Sequence, residues 1–307
     1  MPGLPFALES TDSWFRPVYI QTGPDGGLFV ADFYEQRIDH GSHYQGRVDP
    51  GTGRIYRIAP AGSQPIEPVR LQTAAEWVTA LEHPNRTVRQ TALAKIFDDP
   101  SGVDLGRLRR FADPDGGPRS LDLYWGLEAT GAATTDDRLT ALRHADPAVR
   151  RWAIRLAADF PERLEPALID GLIDRAAIED DVQVRSQLAS SAKRLPVAPR
   201  LAIVDRLVLR DLDGADPHLP LLLWWAIEAT CREAPESVIA TVSNPSFAAS
   251  SLAQRDLLPR VMRRFAASGR RDDLLRCAKL LESATNEQVA TRLLEGFDAA
   301  MVGRSPS

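Results

Sequence analysis

Five side chains able to move protons or hold a metal crowd between positions 32 and 43: Asp32, Tyr34, Arg37, His40 and His43. A histidine beside a carboxylate can serve as a general base with the carboxylate orienting its ring. Asp32, Tyr34 and His40 are therefore the candidate catalytic residues. The competing expectation is a solvated loop in which Asp32 and Arg16 brace a turn. His40 and His43 could ligate a metal, but no third ligand stands at a defined spacing, so no metal site is expected. The remaining chemistry-bearing patterns are missing from the sequence. It contains no GxGxxG, P-loop, GxSxG or HExxH, the motifs that cradle phosphates, expose a nucleophile or bind catalytic zinc. It has no CxxCH for haem attachment and no CxxC pair for zinc. No cofactor is expected in this chain. Its two cysteines, Cys231 and Cys277, lie in helical, apolar surroundings and read as small core residues. The stretch ADPDGGPRSLDLY (112–124) puts Asp113 and Asp115 at the first and third positions of a calcium loop. Tyr124 then stands where the bidentate Glu belongs, so the stretch is expected to be a loop before a helix.

These residues sit in a chain of 307 amino acids with a formal net charge of −5. That balance does not favour nucleic acid or an anionic membrane surface, and no nucleic-acid partner is expected. The most basic stretch, RVMRRFAASGRRDDLLR (260–276), carries Asp272 and Asp273 among its arginines and reads as a solvated helix surface. No segment approaches the ~20 apolar residues of a membrane span, and the N-terminus has neither the basic start nor the apolar run of a signal peptide.

Two kinds of element must position these residues. VYIQT (18–22) and LFVAD (28–32) are β-rich and flank GPDGG, in which Pro24 presets a negative φ and the glycines accept a positive one. GRIYRIAP (53–60) predicts a further strand ending at Pro60, so three or four strands occupy about the first 60 residues. Residues 61–72 are expected to be a linker. From Thr73 the period becomes helical: Ala74, Trp77, Val78 and Leu81 recur at i, i+3, i+4, i+7. Thr73 and Glu76 predict a capping box.

The helices repeat. HPNRTVRQTALAKI (83–96), ADPAVRRWAIRLA (145–157) and DDVQVRSQLASSA (180–192) share a polar turn, then Val-Arg, then a small-residue helix. LYWGLEATG (123–131) returns as LWWAIEATC (223–231), and 105–133 and 244–255 read as worn copies. Helix pairs at a fixed period predict an α-solenoid over 73–303, in which stacked neighbours bury what one pair cannot. The fold expected is mainly α, a solenoid preceded by a small β segment. Four residues before Arg89, Arg150 and Arg185 stand Asn85, Asp146 and Asp181. Asp–Arg hydrogen bonds between successive repeats would make these six residues a structural ladder. Trp224 and Trp225 point about 100° apart on one helix. One is expected to pack between repeats, while the other could anchor an interface.

The Val-Arg frame after a polar turn resembles HEAT repeats. WFRPV, GPDGGLFVADFY, the RIDH loop and GRIYRI together resemble the closing part of a sugar-dehydrogenase-like β-propeller. They are similar to the large membrane-bound-dehydrogenase-type proteins described in planctomycetes, which join such a propeller to HEAT repeats and often to a cytochrome c domain. The resemblance implies a bacterial, exported or periplasmic parent protein using a quinone or haem c, with residues 1–60 a partial blade. One blade falls short of the typical four to eight. The expectation is therefore a fragment, inactive alone. It would be a non-catalytic interaction scaffold that binds a protein partner through the solenoid surface or meets missing propeller blades. The alternative is part of a sugar or alcohol dehydrogenase whose catalytic loops lie elsewhere.

Overall fold

GPDGG closes a β-hairpin. Gly26 takes φ +79°, a left-handed conformation that costs a residue with a Cβ, and the Gly23 N–H donates to the Gly27 carbonyl at 2.7 Å. The computed structural model describes residues 9–35, 41, 51–62, 67, 69–113, 119–161 and 164–302. The strands on either side are β1 (Pro17–Thr22) and β2 (Leu28–Asp32), and β3 (Arg54–Ile58) pairs with β2. The sheet is antiparallel in the order β1-β2-β3. Its register places Ile20, Val30 and Tyr56 in one row and Tyr19, Ala31 and Ile55 in the next. Adjacent rows face opposite sides of the sheet. Val30 is buried, whereas Tyr19 is 61% exposed and Ile55 75%.

The described residues otherwise form fifteen α-helices. The chain divides into two compact units. The first comprises residues 1–108 and 125–132. It holds the sheet, α1 (Ala74–Ala80), α2 (Arg86–Asp98) and most of α3 (Leu105–Arg109). The expected capping box at α1 is present: the Glu76 N–H donates to Thr73 Oγ1, and Glu76 Oε2 accepts the Thr73 N–H. The sheet is tied to the start of α2. Asn85 Nδ2 donates to the Gly23 carbonyl at 2.7 Å, and the Thr87 hydroxyl donates to the Thr22 carbonyl. Of the stripe read from the sequence, Val78 and Leu81 are buried and Ala74 and Trp77 half-buried, and Val88, Ala92 and Ile96 are buried along α2.

The second unit comprises residues 109–124 and 133–307. A helix α4 (Ser120–Ala129) is divided between the two. Next come α5 (Thr135–Arg143), α6 (Pro147–Asp159), α7 (Pro166–Ile178), α8 (Val182–Ala192), α9 (Val197–Arg210) and α10 (Leu219–Glu233). Then follow α11 (Pro235–Val242), α12 (Pro245–Ala249), α13 (Leu258–Ala266), α14 (Arg271–Glu282) and α15 (Glu287–Met301). Alternate helices pack on one another. Helix α7 lies against α5 and α9, and α8 lies against α6 and α10. Successive helices α5 with α6, and α8 with α9, close the pairs. Leu142, Ile154, Leu172, Leu188, Val204 and Leu223 fill the space between them. The copy at 244–255 departs from the others. Asn244 caps α12 by accepting the Ser246 N–H, but the helix stops at Ser250, and residues Ala253–Leu257 form a π-helical turn. Asp211 holds this break with its carboxylate, which accepts from the Ser250 hydroxyl and the Ser251 and Leu252 N–H groups. Helices α13 and α15 approach closely at Gly296, where a Cβ would lie 2.2 Å from the Pro259 carbonyl oxygen. Both cysteines are buried, and burial pushes the Cys231 thiol up to about 12 and the Cys277 thiol up to about 11.

Candidate binding groove

Three seven-residue frames open helices α2, α6 and α8: HPNRTVR (83–89), HADPAVR (144–150) and EDDVQVR (179–185). The third residue of each is an N-cap. Asn85 accepts the Thr87 N–H, Asp146 the Ala148 N–H and Asp181 the Gln183 and Val184 N–H groups, all at 2.8–3.0 Å. Such caps satisfy donors that the helix leaves unpaired. The first residue of each frame accepts the cap's own N–H, through His83 Nδ1, His144 Nδ1 and Glu179 Oε1. With Nδ1 an acceptor, His144 carries its proton on Nε2, 2.9 Å from the Phe111 carbonyl. The last residue closes the frame. Arg89 donates to the carbonyls of His83 and Pro84, Arg150 to those of His144 and Ala145, and Arg185 to those of Glu179 and Asp180. Val88, Val149 and Val184 are buried.

The ladder between frames runs through other acids than the sequence suggested. Asp146 and Asp181 cap their own helices. Arg150 grips Glu179 with Nε to Oε2 at 2.8 Å and Nη2 to Oε1 at 2.7 Å. Arg185 grips Asp213 with Nε to Oδ2 at 2.8 Å and Nη2 to Oδ1 at 2.6 Å. Each is a two-pronged guanidinium–carboxylate pair spanning 28 or 29 residues. The physical reason is direction: a capping carboxylate points along its own helix at the second and third N–H groups, away from the next frame. Burial pushes the Glu179 carboxyl up. Its hydrogen bonds from Arg150 and the Asp181 N–H, with the nearby Arg150 and Arg175 charges, overcome this and hold it below its ordinary value. The signal available in the sequence was the acceptor two residues before each cap: His83, His144, Glu179.

With α6, α8 and α10 held side by side, their remaining face forms a cleft of about 380 Å³. Helix α6 contributes Arg151, Trp152 and Arg155, α8 contributes Gln183, Ser186, Gln187 and Ser190, and α10 contributes Leu222. The Arg155 guanidinium lies over the Trp152 ring, 5.0 Å from its centroid. Gln187 Nε2 donates to Ser191 Oγ at 3.0 Å. No carboxylate is among the lining residues. Trp225, one turn beyond Leu222, is 42% exposed, and Trp224 is half-buried. A second hollow lies on α15 alone, between Glu287, Thr291 and Glu295, and has no opposing wall.

The candidates of the first unit sit differently. Asp32 is buried, and its Oδ1 accepts the Arg16 N–H at 2.7 Å and the Tyr34 N–H at 2.9 Å. Among the described residues its Oδ2 has no hydrogen-bond partner. Tyr34 takes φ +52°. Its ring lies 5.8 Å from that of Trp14 and 3.7 Å from the Arg54 guanidinium carbon. The structure thus uses one Asp32 oxygen to close the chain after β2. Arg37, His40 and His43 lie outside the described residues, as do residues 114–118 of the stretch 112–124. Among the described residues no group of His, Cys, Asp and Glu could hold a metal ion. No helix of the described residues is long and apolar enough to cross a membrane.

A family model for a domain of unknown function, DUF7133, matches residues 6–62, the segment that contains the sheet. No curated protein and no solved structure matches the chain.

Proposed function

We propose that this chain is a non-catalytic protein-binding region, a HEAT-like α-solenoid whose α6–α8–α10 face receives a partner. The cleft carries this reading. It crosses three helices, combines a tryptophan and a leucine with six polar side chains, and has the makeup of an interface rather than of a reaction centre. The alternating rows α5–α7–α9 and α6–α8–α10 support a solenoid, because each helix pair finds its core only against the next. Photo-crosslinking tests the proposal. A benzoylphenylalanine replacing Ser190 should yield a discrete adduct in cells that make the protein, and one replacing Ile178, exposed at the end of α7, should not. Equal adducts from both positions, or none from position 190, would overturn it.

The sheet supports a second, larger-scale reading. Tyr19 and Ile55 flank the small Ala31 on an uncovered face, and β1 is exposed along its length. Sheets shield such surfaces by stacking. This fits a region of a sugar-dehydrogenase-like propeller protein, with any quinone or haem chemistry in other blades. The chain alone should then not turn over aldoses or alcohols with an artificial electron acceptor. Measured turnover that tracks the purified protein would reject the non-catalytic reading.

A further inference from the structure

The cleft has a charge as well as a shape, and the charge names a partner class. Arg151 and Arg155 stand one turn apart on α6, so their side chains lie on one face about 5–6 Å apart at Cβ. Neither makes an ion pair with a described residue, while their neighbours in the same rows are matched: Arg150 with Glu179, Arg185 with Asp213, Arg194 with Asp159. Arg155 is stacked on Trp152, which orients its planar donor edge without neutralising it. Across the cleft, Gln183 and Gln187 recur at the same one-turn interval, as do Ser186 and Ser190. Amides and hydroxyls of this kind can hydrogen-bond a peptide backbone. Leu222 gives an apolar far wall, and the exposed Trp225 stands one turn beyond it on α10. Within a chain of net charge −5, a cleft with two cations that have no acid partner among the described residues, and no lining acid, is a local reversal of sign.

Resting on the protein-binding reading above, we infer that the α6–α8–α10 cleft takes an extended acidic segment of a partner protein. Its carboxylates meet Arg151 and Arg155, its backbone meets the Gln and Ser rows, and an apolar side chain meets Leu222 and Trp225. Neighbouring helix axes lie about 8–10 Å apart, and an extended chain advances about 3.3 Å per residue. About three residues of ligand therefore cross each helix.

The test uses the full chain and three fluorescein-labelled peptides that alternate leucine with glutamate, glutamine or lysine, read by fluorescence anisotropy. The Glu–Leu peptide should bind, and more weakly as salt is raised. The double variant R151E/R155E should weaken it about tenfold or more, with the Lys–Leu peptide gaining. R151Q/R155Q should fall between, and the thermal melt should stay close to that of the native chain because neither arginine holds an acid among the described residues. Equal binding of the Glu–Leu and Gln–Leu peptides, or no response to charge reversal, overturns the acidic partner. If S190W still blocks that binding, the cleft remains a protein site of other specificity. If no peptide binds while the crosslink at position 190 persists, the acidic partner alone is overturned; loss of both overturns the binding reading too. Dimerisation abolished by R151E/R155E would also overturn it, assigning the cleft to a second copy of this chain.

Discussion

The sheet and the α6–α10 rows treat their polar and apolar groups in opposite ways. In the rows, the charges that matter are inside: Arg185 is 7% exposed and Asp213 3%. Apolar side chains such as Leu188 and Ile154 are fully buried. In the sheet, the pair Arg57–Asp25 lies at the surface of the hairpin, and large apolar side chains such as Tyr19 and Ile55 face outward. The rows satisfy themselves, and what they leave over is a shaped, charged cleft. Among the described residues the sheet leaves apolar side chains exposed and pairs no fourth strand. A self-satisfied region can evolve a specific site on its surface, whereas an uncovered sheet needs covering.

The comparison breaks most directly at the buried pair. Asp213→Ala leaves the Arg185 guanidinium without its acid, which should cost about 3–5 kcal/mol. Asp25→Ala removes a surface pair on a third-exposed arginine and should cost far less, because solvent screens the pair. Urea unfolding of the two variants measures the contrast, and equal costs would erase it.

Packing gives the next largest contrast. Gly296→Ala puts a methyl against the Pro259 backbone and should destabilise by about 1–3 kcal/mol through overpacking. Gly26→Ala has open space around it, and only its φ of +79° resists, at a cost of about 1–2 kcal/mol. Asparagine at 26 should be milder than alanine because it tolerates that φ, a rescue not expected at 296.

Acid separates the regions more gently. The Glu179 carboxyl is held below its ordinary value of 4.5 in the folded chain. Its contribution is thus complete above that value and lost as pH falls through the lowered one. Glu179→Gln should flatten that part of the stability–pH curve of the native chain, measured by thermal melts across the acid range. An unchanged slope would show that the pair carries no linkage.

The smallest effect belongs to the bare sheet face. Tyr19→Lys or Ile55→Thr should change stability by no more than about 0.5 kcal/mol while lowering self-association in sedimentation. A large loss of stability would mean that the face is covered within this chain.

Local features were legible because their partners lie within a few residues. The capping box at Thr73, the turn at Gly26, the buried valines of the three frames and both buried cysteines follow from short-range pattern. The ladder was legible only by half. Arg150 reaches Glu179 in the next frame and Arg185 reaches Asp213 beyond the last one, but Asp146 and Asp181, the nearest acids in sequence, turn to their own helix N-termini. The cleft was not legible at all. Trp152, Gln187 and Leu222 share no motif, and neither Trp224 nor Trp225 is among the lining residues.

By itself the sequence determined the hairpin, the helix starts and the seven-residue frames, since each closes through hydrogen bonds inside one short segment. Which acid meets which arginine, and which side chains line a common cleft, only the tertiary structure decided. Those partners are brought together by helices stacking on their apolar faces. A shift of one helical turn in that stacking would pair different charges without altering any local pattern.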